Sequence, residues 1–513
     1  MAFSLDLKRV LISDSVDSCC KTILETNGIV VDLKTKLTKE ELLAEIPDYD
    51  GLIVRSATKV TADVIKAGNK LKIIGRAGTG VDNIDIPAAS LQGVIVMNTP
   101  GGNTLSAAEH TCVLISTLAR HIPQAAASMK EGKWDRKKYM GSELFGKTLA
   151  IVGLGRIGRE VAHRMQSYGM TTIGYDPLVP ADEAAKFNIE WMELDQLWPK
   201  ADYITVHTPL IPQTRGLLGD KTFPLCKKGV YVVNCARGGI IDEASLLRSL
   251  ESGQCGGAAL DVYETEPPTG VSGQLVQHPN VIACPHLGAS TVEAQTRVAK
   301  EIAEQFVDAA QGKSLFGVVN AAFLTEALKP EAQPWLSLGD KLGRIAACLV
   351  NDQPLTKVTV TTHGAEMKSA LRYVTAAVSA GILGGKNANL VNSAVIAKDK
   401  GCDVSSSHED TFGLPYNGAV SLTVNSDTTL TGTVVGIGVP VLIKFNSHVF
   451  SGGVPLSGNL LFAKGNPGKV LTDLGSKSNG AVNCVHVAAG GAESVVIVST
   501  SSQLSADYPC IAL

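Results

Sequence analysis

Apolar residues occur along the first hundred positions in short runs that are separated by helical patterns. The runs are rich in Val, Ile and Leu, and each is followed by polar residues or glycine: RVLIS, GIVVDL, GLIVR, LKIIGRAG and GVIVMNTP. Strands that alternate with helices at this interval predict a parallel, doubly wound sheet. Ligands of such sheets bind beyond the carboxyl ends of the strands, so the residues after each run are the first candidates for a site.

Arginines and small polar residues follow the last three of these runs. They are Arg55 and Ser56 after the third run, Arg76 and the Gly78-Thr79-Gly80 turn after the fourth, and Asn103 after the fifth. Guanidinium groups bind carboxylates and phosphates through paired hydrogen bonds. We therefore expect this sheet edge to bind a small molecule with two anionic groups, although either arginine alone is equally compatible with a surface ion pair.

Two long helical patterns follow. The first, LSAAEHTCVLISTLARHIPQAAASM, predicts one helix from Thr104 to Met129, and we interpret His110 and His121 within it as side chains that are satisfied locally. The second, TVEAQTRVAKEIAEQFVDAAQ, predicts an amphipathic helix over 291–311. We expect the first helix to lead the chain into a second domain and the other to lead it back, which predicts a hinged cleft.

A glycine-rich turn lies between the two long patterns. A β-branched run ends at Val152, Gly153, Gly155 and Gly158 follow it, and a second apolar run ends at Asp176. This order is the dinucleotide fingerprint, in which glycines allow the turn, the approach of a pyrophosphate and close packing of the helix, while the acid binds a ribose 2′-hydroxyl. We expect NAD rather than NADP. The alternative is a glycine-rich turn in an ordinary βαβ unit.

Four further strand candidates, YITVHTP, GVYVVNCARGG, GAALDVYETEPP and NVIACPHLGAS, end in polar residues that we expect at the carboxyl edge of the second sheet: Thr208, Arg237, Asp261, Glu266 and His286. Oxidation of an alcohol requires a base, and neutral His286 with Glu266 beside it fits that role. Arg237 fits the role of a clamp for the carboxylate and hydroxyl of a 2-hydroxy acid. We expect Asp261 to contact the nicotinamide carboxamide.

Composition narrows the class of protein. A chain of 513 residues predicts three or four domains, and a formal net charge of −3 gives no reason to expect nucleic acid as a partner.

The sequence has no membrane-spanning apolar run or signal peptide, and its eleven cysteines are scattered without a CxxC pair, so we expect a cytoplasmic protein with reduced thiols. The ten histidines form no metal-binding spacing, and no metal is expected.

The composition and the hydrophobic pattern of the sequence change beyond Lys313. Alternating and helical patterns up to about residue 400 predict an α+β domain, and the following segment, rich in Gly, Ser and Val, predicts short strands. Residues 458–499 resemble the start of an ACT regulatory domain, with a strand, a Pro-Gly turn, a helix and two strands. The chain then leaves no room for a full second helix and strand, so we carry over no regulation by serine.

The chain resembles the D-isomer-specific 2-hydroxyacid dehydrogenases in six motifs: GRAGTGVDN, GGNTLSAAEH, VGLGRIGREVA, NCARGGIIDE, ALDVYETEPP and PHLGAS. The resemblance is dense over residues 5–315 and is thinner through NLVNSAVIAKDKG. Within the family the chain is most similar to the long, animal-type members. The resemblance implies oxidation of 3-phospho-D-glycerate to 3-phosphooxypyruvate by NAD, in the first step of serine biosynthesis.

The resemblance implies roles for individual residues. Arg237, Glu266 and His286 match the catalytic positions. The cofactor positions are Thr79, Gly153, Gly155, Arg156, Ile157, Gly158, Asp176, Thr208, Cys235, Ala236, Arg237, Asp261, His286, Leu287, Gly288 and Ala289. The substrate positions are Arg55, Ser56, Arg76, Asn103 and, across a subunit interface, Arg136.

The resemblance also implies a fold and an assembly. The expected fold is α/β, with two doubly wound parallel-sheet domains, a flavodoxin-like one for substrate over 1–103 and 291–315 and a Rossmann one for NAD over 104–290. An α+β accessory domain over 316–452 and an ACT-like domain over 453–513 follow. We expect a homo-oligomer, a tetramer, with side activity on 2-hydroxyglutarate or malate.

Two alternative functions remain open at this stage. One is a dehydrogenase for an unphosphorylated 2-hydroxy acid, against which Arg55 and Arg76 argue. The other is a transcriptional corepressor of the same fold that binds NAD as a sensor, against which the long structured C-terminal half argues.

Overall fold

The structure consists of two units. The computed structural model describes residues 5–350, 354–384, 388–477, 482–490, 493–501 and 508–513. Unit 1 comprises Met1–Thr99 and Ala299–Leu513, and unit 2 comprises Pro100–Val298. Among the described residues, no helix combines the length and the apolar character needed to cross a bilayer.

Unit 1 begins with a five-stranded parallel sheet, and all five predicted runs form its strands. The strands are β1 (Arg9–Ile12), β2 (Val30–Leu33), β3 (Gly51–Val54), β4 (Ile73–Arg76) and β5 (Ile95–Asn98), and the helices between them are α1 (Cys19–Thr26), α2 (Lys39–Glu45), α3 (Ala62–Ala67) and α4 (Ile86–Gln92). The strand order β2-β1-β3-β4-β5 is the flavodoxin-like order, so the predicted α/β class is confirmed.

Two helices begin unit 2, where the sequence predicts one. Helix α5 (Thr104–Arg120) ends at His121, which has a left-handed backbone with φ of 54°, and α6 (Ile122–Lys130) starts immediately after it. Pro123 lies in the first turn of α6, where its missing N–H removes no helical hydrogen bond. The prediction of a single helix over 104–129 is therefore wrong at His121.

The sheet of unit 2 has seven parallel strands. They are β6 (Thr148–Val152), β7 (Thr171–Tyr175), β8 (Glu190–Trp191), β9 (Tyr203–Val206), β10 (Val230–Asn234), β11 (Cys255–Leu260) and β12 (Val281–Ala283). The order β12-β11-β10-β9-β6-β7-β8 contains the Rossmann arrangement. Successive residues of β6 point to opposite faces, with Leu149 and Ile151 in one core and Ala150 and Val152 in the other.

The segments between these strands contain five helices: α7 (Arg156–Gln166), α8 (Ala181–Ala185), α9 (Leu194–Leu197), α10 (Glu243–Glu251) and α11 (Gly270–Gln277). Helix α12 (Val292–Ala310) follows, and it confirms the helix predicted over 291–311.

The C-terminal half belongs to unit 1 and contains two more sheets. The first has strands β13 (Lys357–His363), β14 (Asp403–Glu409), β15 (Ala419–Val424), β16 (Thr428–Val435), β17 (Val439–Phe445) and β18 (His448–Pro455), in the order β14-β13-β15-β16-β17-β18. Its helices are α13 (Leu324–Ala327), α14 (Gln333–Val350), α15 (Leu371–Leu383) and α16 (Ser393–Asp399). This segment is α+β, as predicted.

The last sheet is antiparallel and has the order β20-β21-β19-β22. Its elements are β19 (Asn459–Lys464), α17 (Pro467–Lys477), β20 (Val482–Gly490), β21 (Glu493–Thr500) and β22 (Cys510–Ala512). The predicted strand, helix and two strands are present, while residues 478–481, 491–492 and 502–507 lie outside the described residues. Strand β22 has three residues and pairs with β19, so the last sheet ends with a short strand beyond the predicted elements.

Candidate active site

His286 and Glu266 form a hydrogen-bonded pair in the loops that follow β12 and β11. Nδ1 of His286 lies 2.9 Å from Oε2 of Glu266, and Oε1 of Glu266 accepts a hydrogen bond from the backbone N–H of Tyr263. The hydrogen bond with Glu266 raises the pKa of His286. Burial opposes ionisation of Glu266, but the interactions with His286 lower its pKa overall. Because Nδ1 faces Glu266, Nε2 is the nitrogen available for proton exchange.

Asp261 fixes the loop that carries His286. Its carboxylate is fully buried and accepts hydrogen bonds from the backbone N–H groups of Leu287, at 2.7 Å, and Gly288, at 2.8 Å. His286 itself has a positive φ of 55°, a conformation that such a support stabilises. Both oxygens of Asp261 accept hydrogen bonds within the protein, and the expected contact of Asp261 with the nicotinamide carboxamide stays a prediction.

Arg237 lies in the turn after β10, and its positive charge partly opposes the rise that Glu266 causes in the pKa of His286. The turn is held by buried Asn234, whose side chain accepts from the N–H of Ala236 and donates to the carbonyl of Arg237. Sequence reasoning misses Asn234, although an amide at a strand end before a turn is a recognisable turn signal. Imidazole, carboxylate and guanidinium therefore belong to neighbouring loops of one sheet edge.

The glycine fingerprint has the geometry that a pyrophosphate requires. Gly153 has a φ of 100°, and a Cβ there would lie 2.6 Å from the carbonyl oxygen of His207. A Cβ at Gly158 would collide with the carbonyl oxygen of Gly153, so the start of α7 packs directly on the turn. At Gly155, which caps α7, a Cβ would meet open space. The N–H groups at this helix end thus face an accessible surface, as anion binding requires.

Two polar side chains beside the fingerprint fit a dinucleotide. Asp176 accepts hydrogen bonds from the N–H groups of Leu154 and Leu178, each at 2.8 Å, and each carboxylate oxygen retains a further acceptor position. Oγ1 of Thr208 is buried and has no hydrogen-bond partner among the described residues. A buried hydroxyl without a partner, just after β9, is explained by a bound ligand that forms a hydrogen bond with it. The residues present therefore fit NAD.

The other predicted cofactor positions lie at the same edge, except one. Arg156 is exposed and donates to the carbonyl of Pro100, Ile157 follows it in α7, Cys235 and Ala236 lie after β10, and Leu287, Gly288 and Ala289 follow His286. Thr79 belongs to unit 1, where its Oγ1 donates to the carbonyl of Thr99.

The predicted substrate residues are divided between the units. Arg55, Ser56 and Arg76 follow β3 and β4 of unit 1, and the backbone of Arg55 is fixed by a 2.6 Å hydrogen bond to buried Asp14. In unit 2, Asn103 precedes α5 and Arg136 lies in an exposed segment.

His110 is the residue that sequence reasoning misinterprets. Its Nε2 lies 3.2 Å from Oδ1 of Asp261, and the interactions with Asp261 and Cys284 raise its pKa to about 9. Each of the three residues has one potential metal-ligating atom, and these three atoms lie within 4.8 Å of one another. A signal existed, because His110 lies three residues after Ala107 and four before Leu114, on the buried stripe of α5.

Comparisons with known proteins identify the family of the chain. A family model described as the D-isomer specific 2-hydroxyacid dehydrogenase, NAD binding domain, matches residues 112–288. A second, described as the D-3-phosphoglycerate dehydrogenase intervening domain, matches residues 331–446. Among solved structures, a glyoxylate reductase from Paecilomyes thermophila is 28% identical, with a TM-score of 0.56 over 61% of this chain and 98% of that chain. A protein from Thermus thermophilus is 30% identical, with a TM-score of 0.55 over 61% of this chain and 99% of that one.

Curated relatives extend the likeness into the C-terminal half. D-3-phosphoglycerate dehydrogenase from Homo sapiens is 55% identical over 470 residues, which cover 90% of this chain and 87% of that protein. The enzyme of the same name from Bacillus subtilis is 42% identical over 436 residues, 84% of this chain and 82% of the relative. At this identity and coverage, the chain belongs to the D-3-phosphoglycerate dehydrogenase family of D-isomer-specific 2-hydroxyacid dehydrogenases and contains their NAD-binding domain.

Proposed function

We propose that this protein catalyses the NAD-dependent oxidation of 3-phospho-D-glycerate to 3-phosphooxypyruvate, the first step of serine biosynthesis. Relatives that carry the corresponding name match about nine tenths of the chain. The single observation that carries the chemistry is the 2.9 Å pair of His286 and Glu266, within the domain that matches the NAD-binding model.

The reaction removes a proton from the C2 hydroxyl and a hydride from C2 itself. Bound NAD supplies the hydride acceptor. Nε2 of His286 accepts the hydroxyl proton, and the carboxylate of Glu266 stabilises the imidazolium that forms and holds the ring in position. Arg237 binds the substrate carboxylate and directs C2 toward the cofactor. Each of these roles requires only the side chain that the sequence already has at that position.

Cofactor binding is proposed at the amino end of α7 and its neighbours. The N–H groups after Gly155 hold the pyrophosphate, a free acceptor position of Asp176 binds the adenosine ribose, and Oγ1 of Thr208 forms a further hydrogen bond. The remaining contacts are those predicted from the sequence, in the 235–237 turn and the loop from His286 to Ala289.

Substrate identity is tested by comparing three acids. The full-length protein is assayed for NADH by absorbance at mildly alkaline pH, with 3-phospho-D-glycerate, D-glycerate and D-2-hydroxyglutarate at equal concentrations. We expect kcat/KM to be highest for the phosphorylated acid, because Arg55 and Arg76 supply cations for a phosphate. A higher kcat/KM for an unphosphorylated acid would reject the substrate. Tight NAD binding without turnover of any acid would favour the NAD-sensing corepressor.

The proposal includes a cytoplasmic homotetramer. Multi-angle light scattering of the purified protein measures its mass directly. Fractionation of cells that express the chain with a C-terminal tag tests the compartment. A monomer in the first experiment, or membrane-enclosed protein in the second, would remove that part of the proposal without affecting the reaction.

A further inference from the structure

The C-terminal half of unit 1 contains a cavity of about 570 Å³ that is not part of the proposed dehydrogenase chemistry. Its walls come from α13, the start of α14, the segment before α15, the loop that precedes β15, and β16. All of these elements belong to one unit, so the cavity is defined without reference to unit 2.

Carboxylates give this cavity a negative field. Glu326, Glu331 and Glu366 line it together with one cation, Lys329. The Nζ atom of Lys329 lies 2.6 Å from Oε2 of Glu326, so this pair is internally neutralised. Neither Glu331 nor Glu366 forms an ion pair with any residue that the structure describes. Two negative charges therefore remain uncompensated in one concave site.

Aromatic rings form the rest of the wall. Trp335, Tyr373 and Tyr416 line the cavity. Tyr373 is only 6% exposed, and its hydroxyl has no hydrogen-bond partner among the described residues. Burial, together with the charges of Glu326 and Glu331, raises the pKa of Tyr373 to about 12, which places this hydroxyl in the field of the carboxylates and keeps it protonated. A hydroxyl without a protein partner on the wall of a cavity leaves a position at which a polar ligand can form a hydrogen bond.

We propose that this cavity binds a small organic cation, whose ammonium or guanidinium group is neutralised by Glu331 and Glu366 and contacts the aromatic wall around Trp335. The combination decides the ligand class. Carboxylates alone suit Mg²⁺, but a hydrated metal ion gains nothing from aromatic faces, whereas ammonium and guanidinium groups are attracted to both. Anionic molecules, including the proposed substrate, are repelled by the net charge.

The test uses agmatine, which carries both a guanidinium and an ammonium group, with the full-length protein. Trp335 reports binding by fluorescence, because the other three of the four tryptophans, Trp134, Trp191 and Trp198, belong to unit 2. We expect a saturable change with agmatine and none with 1,4-butanediol, its neutral analogue, or with MgCl₂. Isothermal titration calorimetry on the same samples measures the Kd independently of the fluorophore.

Variants assign the binding to the cavity. Glu331→Gln removes one carboxylate and is expected to raise the Kd for agmatine roughly tenfold, as loss of a charged hydrogen bond does. Tyr373→Phe removes only the hydroxyl and should raise the Kd for agmatine severalfold. Glu40→Gln, which removes an exposed carboxylate elsewhere in unit 1, should leave the Kd unchanged. Circular dichroism melting confirms that each variant is folded.

Three outcomes would overturn the proposal: no saturable binding of agmatine, equal binding of 1,4-butanediol, or an unchanged Kd in folded Glu331→Gln. Displacement of agmatine by MgCl₂ at equal ionic strength would also overturn it, because it would identify the carboxylates as a metal site.

Discussion

At the scale of single residues, the pair of His286 and Glu266 determines how the reaction depends on pH. A base must be deprotonated to accept the substrate proton, so the rate rises as the pH passes the pKa of His286. Glu266 raises that pKa through its hydrogen bond. We expect Glu266→Gln to move the acidic limb of kcat/KM to lower pH while kcat falls roughly 10²- to 10⁴-fold. An unmoved limb in a pH–rate profile would show that Glu266 does not act on His286.

Asp176 combines a structural and a ligand-binding role, and the two can be separated. Its carboxylate holds two backbone N–H groups, including that of Leu154 in the fingerprint. We expect Asp176→Ala to weaken NAD and to reduce discrimination against NADP, because the negative charge that repels a 2′-phosphate is lost. Asp176→Asn is the control, since the amide keeps an acceptor but not the charge. Titrations with NAD and with NADP measure the ratio of the two Kd values. An unchanged ratio in both variants would reject the assignment of Asp176 to the ribose.

His110 gives the fold a stability that depends on pH. Its pKa is raised from 6.5 to about 9 by Asp261 and Cys284, so the interaction contributes fully below pH 6.5 and is lost as the pH rises through 9. We expect His110→Gln to lower the free energy of unfolding by on the order of 2 kcal/mol below pH 6.5 and by much less above pH 9. Urea unfolding under reducing conditions measures the difference, with exposed His163→Gln as the control. A loss that is independent of pH would contradict the charged pair.

The role of a residue can be predicted from the sequence when it depends on contacts with its neighbours along the chain. It cannot be predicted when it depends on a contact with a residue that is remote in sequence. Gly153 and Gly158 are predictable because the turn that needs them is formed by their immediate neighbours. Glu266 and His286 are recognisable by residue type at strand ends. The partner of His110 is Asp261, which follows strand β11 far along the chain, and no local pattern brings the two together.

At the scale of secondary-structure elements, the interruption between α5 and α6 shows how a continuous pattern conceals a break. Small and apolar residues continue across His121, so the periodicity predicts one helix. Pro123 is incompatible with the interior of a helix but is tolerated in its first turn, and the chain therefore starts a new helix at Ile122. Breaks of this kind are set by one residue, whereas periodicity averages over many.

The same break allows a test of backbone strain. His121 adopts a left-handed conformation that costs a residue with a Cβ atom about 1 kcal/mol. Glycine removes that cost but loses more backbone entropy on folding, so we expect His121→Gly to raise the free energy of unfolding by about 0.5 kcal/mol at most. Arg120→Gly, at the adjacent helical position, should lower it by about 1 kcal/mol. Thermal and urea unfolding of both variants provide the comparison, and a loss of stability in His121→Gly would contradict the argument from backbone strain.

At the scale of the whole molecule, contacts remote in sequence decide which segments form a unit. The segment from Ala299 onward clusters with the first hundred residues. Nδ2 of Asn389 donates to the carbonyl of Gly93, and Oδ1 of Asn320 accepts from the N–H of Val96. Periodicity predicts the elements but not these pairings, since each joins residues hundreds of positions apart. The four-domain division at residues 103, 290, 315 and 452 stays a prediction, which limited proteolysis can test.

The division of the chain into two units predicts a division of kinetic effects. Arg55 and Arg76 belong to unit 1 and have no proposed part in proton or hydride transfer, so their substitution should remove binding energy that the substrate and the transition state share. We expect Arg55→Ala and Arg76→Ala each to raise KM for 3-phospho-D-glycerate roughly tenfold or more, with kcat changed little. His286→Ala in unit 2 should lower kcat roughly 10²- to 10⁴-fold.

The phosphate, rather than the carboxylate, is the group that these arginines are proposed to bind, and D-glycerate distinguishes the two. With D-glycerate, which lacks the phosphate, the KM of Arg55→Ala should equal that of the unchanged protein. Arg55→Lys is the matched variant, because it keeps the charge but loses the paired hydrogen bonds, and its KM for the phosphorylated acid should lie between the two. Equal increases in KM for both acids would instead assign Arg55 and Arg76 to the carboxylate, and the preference for a phosphorylated substrate would need another origin.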